Sequence, residues 1–151
     1  MYGLLKAKNL SVTTAESCTG GLLAGRLINV PGISEYLKEG YVTYSNEAKE
    51  KLLGVPADTL QKYGAVSPQT AEAMAKGGAK AAGADLCIAV TGIAGPDGGT
   101  ADKPVGLVYM SCYYRGKLYT EKNQYSGSRS KIREYAVASA LTLLRQAILD
   151  D

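Results

Sequence analysis

The residues best suited to chemistry in this sequence are a serine and a lysine, each placed where a helix is predicted to begin. Ser17 lies in residues 16–21 (ESCTGG), where a short strand leads into a glycine-rich turn and a helix. Lys49 lies in residues 44–49 (YSNEAK), in the first turn of another predicted helix, where the macrodipole disfavours a positive charge. A lysine that loses its proton readily can serve as the base for a hydroxyl nucleophile. The structural alternatives are a helix cap for Ser17 and a solvent-exposed charge for Lys49.

The absence of histidine restricts the chemistry further. The 151 residues contain no His, no Trp and no Phe, and all 11 aromatic residues are Tyr. Such a chain has no Ser-His-Asp triad, no Cys-His pair and no His-ligated metal site. Acid or base catalysis must come from Lys, Tyr, Asp, Glu or Cys. We therefore predict a site that needs neither a metal nor a cofactor.

Glycine clusters follow two of the predicted strands and indicate backbone that approaches a ligand closely. In the first cluster, the amides of Thr19, Gly20 and Gly21 are expected to point out of a helix N-terminus, where they could bind an anion or stabilise an oxyanion. Its glycine spacing fits neither a Walker motif nor a dinucleotide fingerprint. The second cluster is residues 91–100 (TGIAGPDGGT), whose amides could converge on a phosphate or a carboxylate.

Three further side chains have roles that the sequence leaves open. Cys18 adjoins Ser17, and a helix N-terminus can depress a thiol pKa, so Cys18 is an alternative nucleophile. If the chain is still extended there, adjacent side chains point in opposite directions and only one of the two can face the site. Arg129 is a candidate clamp for a phosphate or carboxylate, whereas Arg133 is interpreted as a solvated charge on the last helix.

The elements that must position these residues alternate between strands and helices. Predicted strands, which are β-branched or apolar runs bounded by turn residues, cover residues 10–15, 41–44, 86–91, 105–114 and 117–125. Predicted helices cover the segment around residues 22–28, a segment that begins at Ser45 or Asn46 with Leu52 and Leu53 on its buried side, residues 67–82 and residues 130–149. This order predicts one layered α/β domain over residues 1–151 with a mixed sheet, in which ligands bind beyond the carboxyl ends of the parallel strands.

Charge and composition exclude several classes of partner. The 17 Lys and Arg residues against 14 Asp and Glu residues give a net charge of +3 without an arginine-rich arm, so we predict no nucleic-acid partner. No apolar run approaches the ~20 residues of a membrane span, and no signal peptide is predicted. Three widely separated cysteines predict a reducing, cytoplasmic location. The small-residue face of the helix over residues 67–82, if exposed, would suit self-association, so we predict a homo-oligomer.

Five motifs spread over nearly the whole chain resemble the C-terminal domain of the competence/damage-inducible protein CinA, a family that includes stand-alone nicotinamide-nucleotide amidohydrolases. They are TAESCTGG (residues 14–21), VTYSNEAK (42–49), GAVSPQTAEAMA (64–75), VTGIAGPDGGT (90–100) and KPVGLVY (103–109). The resemblance implies a three-layer α/β/α sandwich with a mixed, mostly parallel sheet. It also implies hydrolysis of nicotinamide mononucleotide to nicotinate mononucleotide and ammonia, a reaction of NAD recycling on a small-molecule pyridine mononucleotide.

The same resemblance implies roles for residues at matching positions. Ser17 is the implied nucleophile, Lys49 the implied base, and Tyr44 the group that orients the lysine or relays a proton. Thr91 is implied in substrate binding, and the family's Gly-Asp-Arg arginine falls on Arg129, where this chain has Gly-Ser-Arg. The predicted substrate-binding residues are Thr19, Gly20, Gly21, Asn46, Thr91, Gly92, Gly95 and Arg129.

Several alternatives stay open at this point. Cys18 rather than Ser17 could be the nucleophile, and Arg133 rather than Arg129 could bind the phosphate. The chain could also be a nucleotide-binding or partner-binding domain without turnover. Because the domain that precedes this one in full-length CinA proteins is absent from the sequence, we expect either a stand-alone amidohydrolase or a part of a longer protein.

Overall fold

A five-stranded sheet forms the centre of the computed structural model, which describes residues 1–151. The strands are β1 (Val12–Glu16), β2 (Leu37–Val42), β3 (Leu86–Gly92), β4 (Leu107–Tyr114) and β5 (Lys117–Gln124). The helices are α1 (Tyr2–Lys8), α2 (Leu22–Ile28), α3 (Asn46–Leu53), α4 (Ala57–Tyr63), α5 (Pro68–Ala82) and α6 (Arg129–Leu149), and a short 3-10 helix spans Ile33–Glu35. None of these helices combines the length and the apolar character that crossing a membrane requires.

The sheet has the order β2-β1-β3-β4-β5. β1 pairs in parallel with β2 and β3, whereas β4 runs antiparallel to both β3 and β5. Four strands therefore share one direction and only β4 is reversed, which confirms the predicted mixed sheet. Glu16 of β1 pairs with Val42 of β2 and with Val90 of β3, so the three parallel strands end at the same level. The turns that follow them meet at one edge of the sheet.

Helices cover both faces of the sheet, which confirms the three-layer α/β/α arrangement. The larger core packs α1, α2 and α6 against one face and includes Leu23 and Ile132. The smaller core packs α3, α4 and α5 against the other face and includes Leu53 and Met74. Burial of one such side chain contributes about 1.5–3 kcal/mol. The two cores therefore fix the strand ends and the turns that leave them.

Serine caps begin two helices of the α3–α5 layer. Ser45 Oγ accepts a hydrogen bond from the Ala48 amide at 3.0 Å at the start of α3. Ser67 Oγ accepts one from the Thr70 amide at 3.1 Å at the start of α5. Both helix starts are therefore confirmed, with Ser45 as the cap of the first. Lys49, in the first turn after the Ser45 cap, and Leu53 are the buried residues of α3.

The small-residue face of α5 is buried inside the fold. Gly78 packs so closely on β3 that a Cβ there would lie 2.6 Å from Cys87 Sγ, and Gly77 lies directly against the backbone of Leu53. Close packing on the sheet and on α3 therefore explains the small residues. The condition under which this face would suit self-association, exposure to solvent, is therefore not met, and the homo-oligomer stays a prediction.

The predicted boundaries fail at the edge of the sheet and at two short helices. β2 spans Leu37–Val42 rather than residues 41–44, because this edge strand has three consecutive exposed residues and no alternating pattern. Helices α1 and α4 are absent from the sequence-based assignment, since neither begins with a side-chain cap. Leu52, expected on the buried side of α3, is exposed, while Leu53 is buried.

Candidate active site

A cavity of about 310 Å³ lies beyond the carboxyl ends of β1 and β3, where this sheet topology places a ligand. Most predicted site residues line it, namely Ser17, Tyr44, Asn46, Lys49, Thr91, Gly92, Gly95 and Arg129. Thr19, Gly20 and Gly21 lie outside its lining. Two glycine-rich segments contribute to the lining: the β1 turn (residues 17–21), through Ser17 and Cys18, and the β3 loop (residues 93–99).

Ser17 and Lys49 meet in the buried part of this cavity, although they are 32 residues apart in the chain. Lys49 Nζ donates to Ser17 Oγ at 3.1 Å and to the Thr43 carbonyl oxygen at 2.9 Å. The Ser17 amide donates to the Val90 carbonyl at 3.0 Å, which extends the β1–β3 ladder. The Thr43 amide donates to the Glu16 carbonyl at 2.8 Å, which extends the β1–β2 ladder. Backbone pairing thus holds a hydroxyl and an amine within hydrogen-bond distance.

Lys49 is a buried amine without a counter-ion. The residue is 1% exposed, and none of the three ion pairs of the protein includes it. Its partners, a hydroxyl and a carbonyl oxygen, carry no charge. Burial therefore lowers the pKa of Lys49, because the charged form loses its hydration without gaining a carboxylate. The exposed-lysine alternative is wrong, and the environment suits an amine that acts as a base.

Cys18 points away from Lys49. Ser17 bonds to Lys49 of α3, whereas Cys18, in the turn that follows β1, is buried in the larger core with residues of α2 and α6. Burial raises the pKa of the Cys18 thiol to about 11. A thiol with that pKa is protonated near neutral pH and is a poor nucleophile. Ser17 is therefore the residue of the two that faces the base.

The β1 turn already holds an anion of its own, the buried carboxylate of Glu16. Glu16 Oε1 accepts from the Thr19 hydroxyl at 2.7 Å, the Gly21 amide at 3.2 Å and the Leu23 amide at 2.9 Å. Glu16 Oε2 accepts from the Ala24 amide at 3.1 Å. These amides belong to the N-terminal turn of α2, where a negative charge is favoured. Four donors satisfy a carboxylate that has no contact with solvent.

This arrangement overturns the prediction that Gly20 and Gly21 bind an external anion. The Gly21 amide is taken by Glu16, and the Gly20 amide donates to the Ser17 carbonyl at 3.1 Å. Thr19 is fully buried with its hydroxyl bonded to Glu16, so it shapes the turn instead of reaching the cavity. The signal for Glu16 in the sequence is a carboxylate at the end of a strand, one turn before a helix begins.

The β3 loop, in contrast, has backbone amides available to a ligand. The amides of Ala94 and Gly95, which both line the cavity, donate to no acceptor within the protein. Gly95 has a φ of +77°, in the left-handed region that favours glycine, and a Cβ there would collide with Val105. Adjacent free amides of this kind can bind a phosphate or an oxyanion.

Thr91 and Gly92 shape the cavity at the end of β3. Thr91 Oγ1 donates to the Ala65 carbonyl at 2.8 Å, which ties the segment before α5 to the sheet as another part of the cavity wall. Gly92 packs against β4, where a Cβ would lie 2.6 Å from Val108 Cγ2. Both residues line the cavity, but the Thr91 hydroxyl already donates its proton to the Ala65 carbonyl.

Arg129 spans the rim of the cavity. Its Nη1 donates to the Gly95 carbonyl at 2.8 Å and its Nη2 donates to the Tyr44 hydroxyl at 3.1 Å. The guanidinium therefore links α6, the β3 loop and the segment before α3. Because it is exposed at the rim, it can exchange these neutral partners for an anionic ligand.

Tyr44 and Asn46 lie at the same rim, away from the buried pair. Tyr44 is 65% exposed, and its hydroxyl is bonded to Arg129 rather than to Lys49 or Ser17. Lys49 Nζ is bonded to the Thr43 carbonyl and has no hydrogen bond to Tyr44. Asn46, the first residue of α3, is exposed and lines the cavity mouth.

Arg133 differs most from its interpretation as a solvated charge. Its Nε donates to the Cys18 carbonyl at 2.9 Å and its Nη2 donates to the Thr19 carbonyl at 3.1 Å. The side chain is half-buried, one helical turn after Arg129, and it contacts the β1 turn without lining the cavity. Of the two arginines, only Arg129 therefore lines the cavity, whereas Arg133 bonds to the turn that carries Ser17.

A larger groove elsewhere lacks this chemistry. It has a volume of about 970 Å³, lies between α3 and α5, and is lined by small and apolar residues, one tyrosine, Lys76 and Lys80. No serine, cysteine or carboxylate lines it. No group of three His, Cys, Asp or Glu side chains in the chain is arranged to hold a metal ion.

Comparison with known proteins points to one family. The family model of the CinA C-terminal domain matches residues 1–148. A competence-damage inducible protein of Clostridium novyi (strain NT) is 56% identical over 146 residues, which cover 97% of this chain and 35% of that protein. The CinA-like protein of Kosmotoga olearia is 53% identical over 149 residues, which cover 99% of this chain and 36% of that protein. The chain thus spans 35–36% of the length of these two relatives.

A solved structure shows the same fold. The competence/damage inducible protein CihA from Agrobacterium tumefaciens matches with a TM-score of 0.92 and 46% sequence identity, over 95% of this chain and 88% of that chain. The fold that the five motifs imply is thereby confirmed.

Proposed function

The chain belongs to the CinA C-terminal domain family, and on this premise we propose that it is an amidohydrolase that converts the carboxamide of nicotinamide mononucleotide into a carboxylate and ammonia. The observation that carries the proposal is the 3.1 Å contact between Lys49 Nζ and Ser17 Oγ. This contact lies in a cavity that also presents free backbone amides and an arginine. Such a pair suits attack on a carbonyl carbon, and the motif resemblance supplies the pyridine mononucleotide as the substrate.

The first step is nucleophilic attack by Ser17. Neutral Lys49 Nζ accepts the proton of the Ser17 hydroxyl while Oγ attacks the carboxamide carbon. One N–H of Lys49 stays bonded to the Thr43 carbonyl, which turns the nitrogen lone pair toward Ser17. Because burial lowers the pKa of Lys49, the neutral amine is available at a lower pH than in an exposed lysine.

Unpaired backbone amides beside Ser17 hold the developing negative charge. The Cys18 amide directly follows the nucleophile, and the Ala94 amide lies on the β3 loop; both residues line the cavity, and neither amide donates to the protein. These donors suit an oxyanion hole. Lys49 then returns its proton to the leaving nitrogen, ammonia departs, and water hydrolyses the ester left on Ser17.

The rim of the cavity binds the 5′-phosphate. Arg129 supplies a guanidinium, and the unpaired amides of Gly95 and Gly98 lie on the adjacent β3 loop. Asn46 lies at the same mouth with an exposed carboxamide. A cation next to free amides suits a dianion, whereas the buried end of the cavity, with Lys49 uncharged, suits the neutral carboxamide.

A second candidate function is nucleotide binding without turnover, within a longer protein. The observation that favours it is that the chain spans only 35–36% of its relatives' length, so catalysis by a relative need not reside in this part. This candidate predicts tight binding of the mononucleotide by this chain and no release of ammonia.

An ammonia-release assay tests the proposed function. We expect the chain to release ammonia from nicotinamide mononucleotide, and less from free nicotinamide, which lacks the phosphate. Ser17→Ala and Lys49→Met should each lower kcat at least about 10³-fold, because they remove the nucleophile and the base. Lys51→Met, at an exposed position of the same helix, is the matched control and should retain the wild-type rate.

Two outcomes count against the proposal. Near wild-type rates for Ser17→Ala would exclude serine catalysis. Binding of nicotinamide mononucleotide without ammonia release, in this chain and in a full-length relative, would favour the second candidate function.

A further inference from the structure

We propose that Arg133 is a positioning residue that clamps the β1 turn and thereby aims the Cys18 amide, one of the two proposed donors to the oxyanion. The inference rests on the proposed role of Ser17 as the nucleophile. It goes beyond that role by assigning a function to a side chain that lies outside the cavity and is 115 residues from Cys18 in the chain.

The clamp consists of two hydrogen bonds from one guanidinium to successive carbonyls. Arg133 Nε holds the Cys18 carbonyl at 2.9 Å, and Arg133 Nη2 holds the Thr19 carbonyl at 3.1 Å. Arg133 takes part in none of the ion pairs of the protein, so its charge is directed at the turn. Bonds from a charged donor are stronger than neutral ones, and the planar fork fixes two directions at once.

Because peptide groups are planar, the bonds from Arg133 to the carbonyls also set the directions of the neighbouring amides. In a trans peptide, the carbonyl and the following N–H point in opposite directions. The Cys18 carbonyl bonded to Arg133 therefore turns the Thr19 amide away from the guanidinium. The Thr19 carbonyl, also bonded to Arg133, fixes the peptide that carries the Gly20 amide, and that amide holds the Ser17 carbonyl at 3.1 Å. The Ser17 carbonyl in turn fixes the opposite direction of the Cys18 amide.

The β1 turn leaves room for the Arg133 guanidinium, and most of its polar backbone groups are hydrogen-bonded. Gly20 has a φ of +57°, and a Cβ there would lie 3.3 Å from Arg133 Nη2, so glycine leaves room for the guanidinium. Within the same turn, Glu16 accepts from the Thr19 hydroxyl and the Gly21 amide, the Gly20 amide donates to the Ser17 carbonyl, and Arg133 donates to the Cys18 and Thr19 carbonyls, the second of which also accepts from the Leu22 amide. After these bonds, the amides of Cys18 and Thr19 are the ones that donate to no acceptor. The Cys18 amide belongs to a residue that lines the cavity.

The test compares Arg133→Met and Arg133→Lys with Arg145→Met, a matched control at an exposed position of α6. With nicotinamide mononucleotide, Arg133→Met should lower kcat between about 10-fold and 100-fold and leave KM within about twofold, because a misaimed donor weakens transition-state binding alone. Arg133→Lys keeps the charge but loses the two-pronged guanidinium, so its kcat should lie between that of the wild type and that of Arg133→Met. A second readout is the rate at which a small phosphonyl fluoride phosphonylates Ser17 and releases fluoride, followed by intact mass.

The second readout separates this inference from the proposed function. If the wild type is phosphonylated at Ser17 but releases no ammonia, the proposed function fails, and a slower Arg133→Met reaction still supports the clamp. Equal phosphonylation of wild type and folded Arg133→Met, or a rise in KM alone, overturns the clamp. If Arg133→Met does not fold, a wild-type rate for Arg133→Lys overturns it. A wild-type chain that is neither phosphonylated nor active contradicts both ideas.

Discussion

The β1 turn and the β3 loop have similar compositions, but their glycine amides differ in hydrogen bonding. Both are glycine-rich and follow adjacent parallel strands. In the β1 turn, the Gly20 amide is bonded to the backbone and the Gly21 amide to the Glu16 carboxylate. In the β3 loop, the amides of Ala94 and Gly95 face the cavity without an acceptor. The glycine amides at 20 and 21 are therefore paired within the protein, whereas the β3 loop leaves amides unpaired in the wall of the cavity.

The difference shows what a glycine cluster after a strand does and does not indicate. It indicates that the backbone can turn sharply and approach another group. It does not indicate whether that group is a ligand or a side chain of the same protein. In the β1 turn a buried glutamate occupies the position that an external anion would take, so an anion site requires a count of the donors that remain unpaired.

The largest effect is expected from removing the Glu16 carboxylate, which bonds to the amides of the β1 turn and of α2. Glu16→Gln replaces two acceptor oxygens with one and places an NH₂ group among four donors. We expect the free energy of unfolding to fall by about 3 kcal/mol, because buried donors lose their acceptor. Urea denaturation measures the change, with Glu47→Gln at an exposed position as the control. A loss no greater than that of the control would show that Glu16 is not essential to the turn.

A smaller effect, on KM, is expected from altering the β3 loop. Gly95→Ala introduces a Cβ at a φ of +77° beside Val105, so the β3 loop must shift. We expect KM for nicotinamide mononucleotide to rise about tenfold, equivalent to 1.4 kcal/mol, while kcat changes little. Gly54→Ala is the control, since it has a φ of +64° with nothing within 4 Å of the added Cβ. If both variants change KM equally, the loop amides do not bind substrate.

Much of the fold could be predicted from local signals, and the exceptions have physical reasons. The buried strand β3 and the serine-capped helix α5 have strong patterns of their own. The edge strand β2 has one solvent-exposed edge and charged residues, so its sequence resembles a loop. Helices α1 and α4 have seven residues each and no side-chain cap, and packing rather than propensity stabilises them.

The candidate site likewise contains residues that local sequence patterns predict and residues that depend on the tertiary structure. Ser17 and Lys49 could be predicted because each lies in a recognisable turn or helix start, and the structure places them 3.1 Å apart. The roles of Glu16 and Arg133 could not be predicted. Glu16 depends on which donors the turn leaves unpaired, and Arg133 depends on the docking of α6 beside a turn 115 residues earlier.

The β1 turn presents Ser17 to Lys49, a lysine whose pKa is lowered by burial. The most direct test is a nuclear magnetic resonance titration of the protein with ¹³Cε-labelled lysine, assigned by comparison with Lys49→Met. Burial lowers the pKa of Lys49, so the Cε resonance that is absent from Lys49→Met should titrate with a pKa below the ~10.4 of an ordinary lysine. The kcat/KM for ammonia release should rise with pH through the same pKa, since the neutral amine is the base. If all lysines titrate together near ~10.4, Lys49 is charged at neutral pH and the proposed mechanism is wrong.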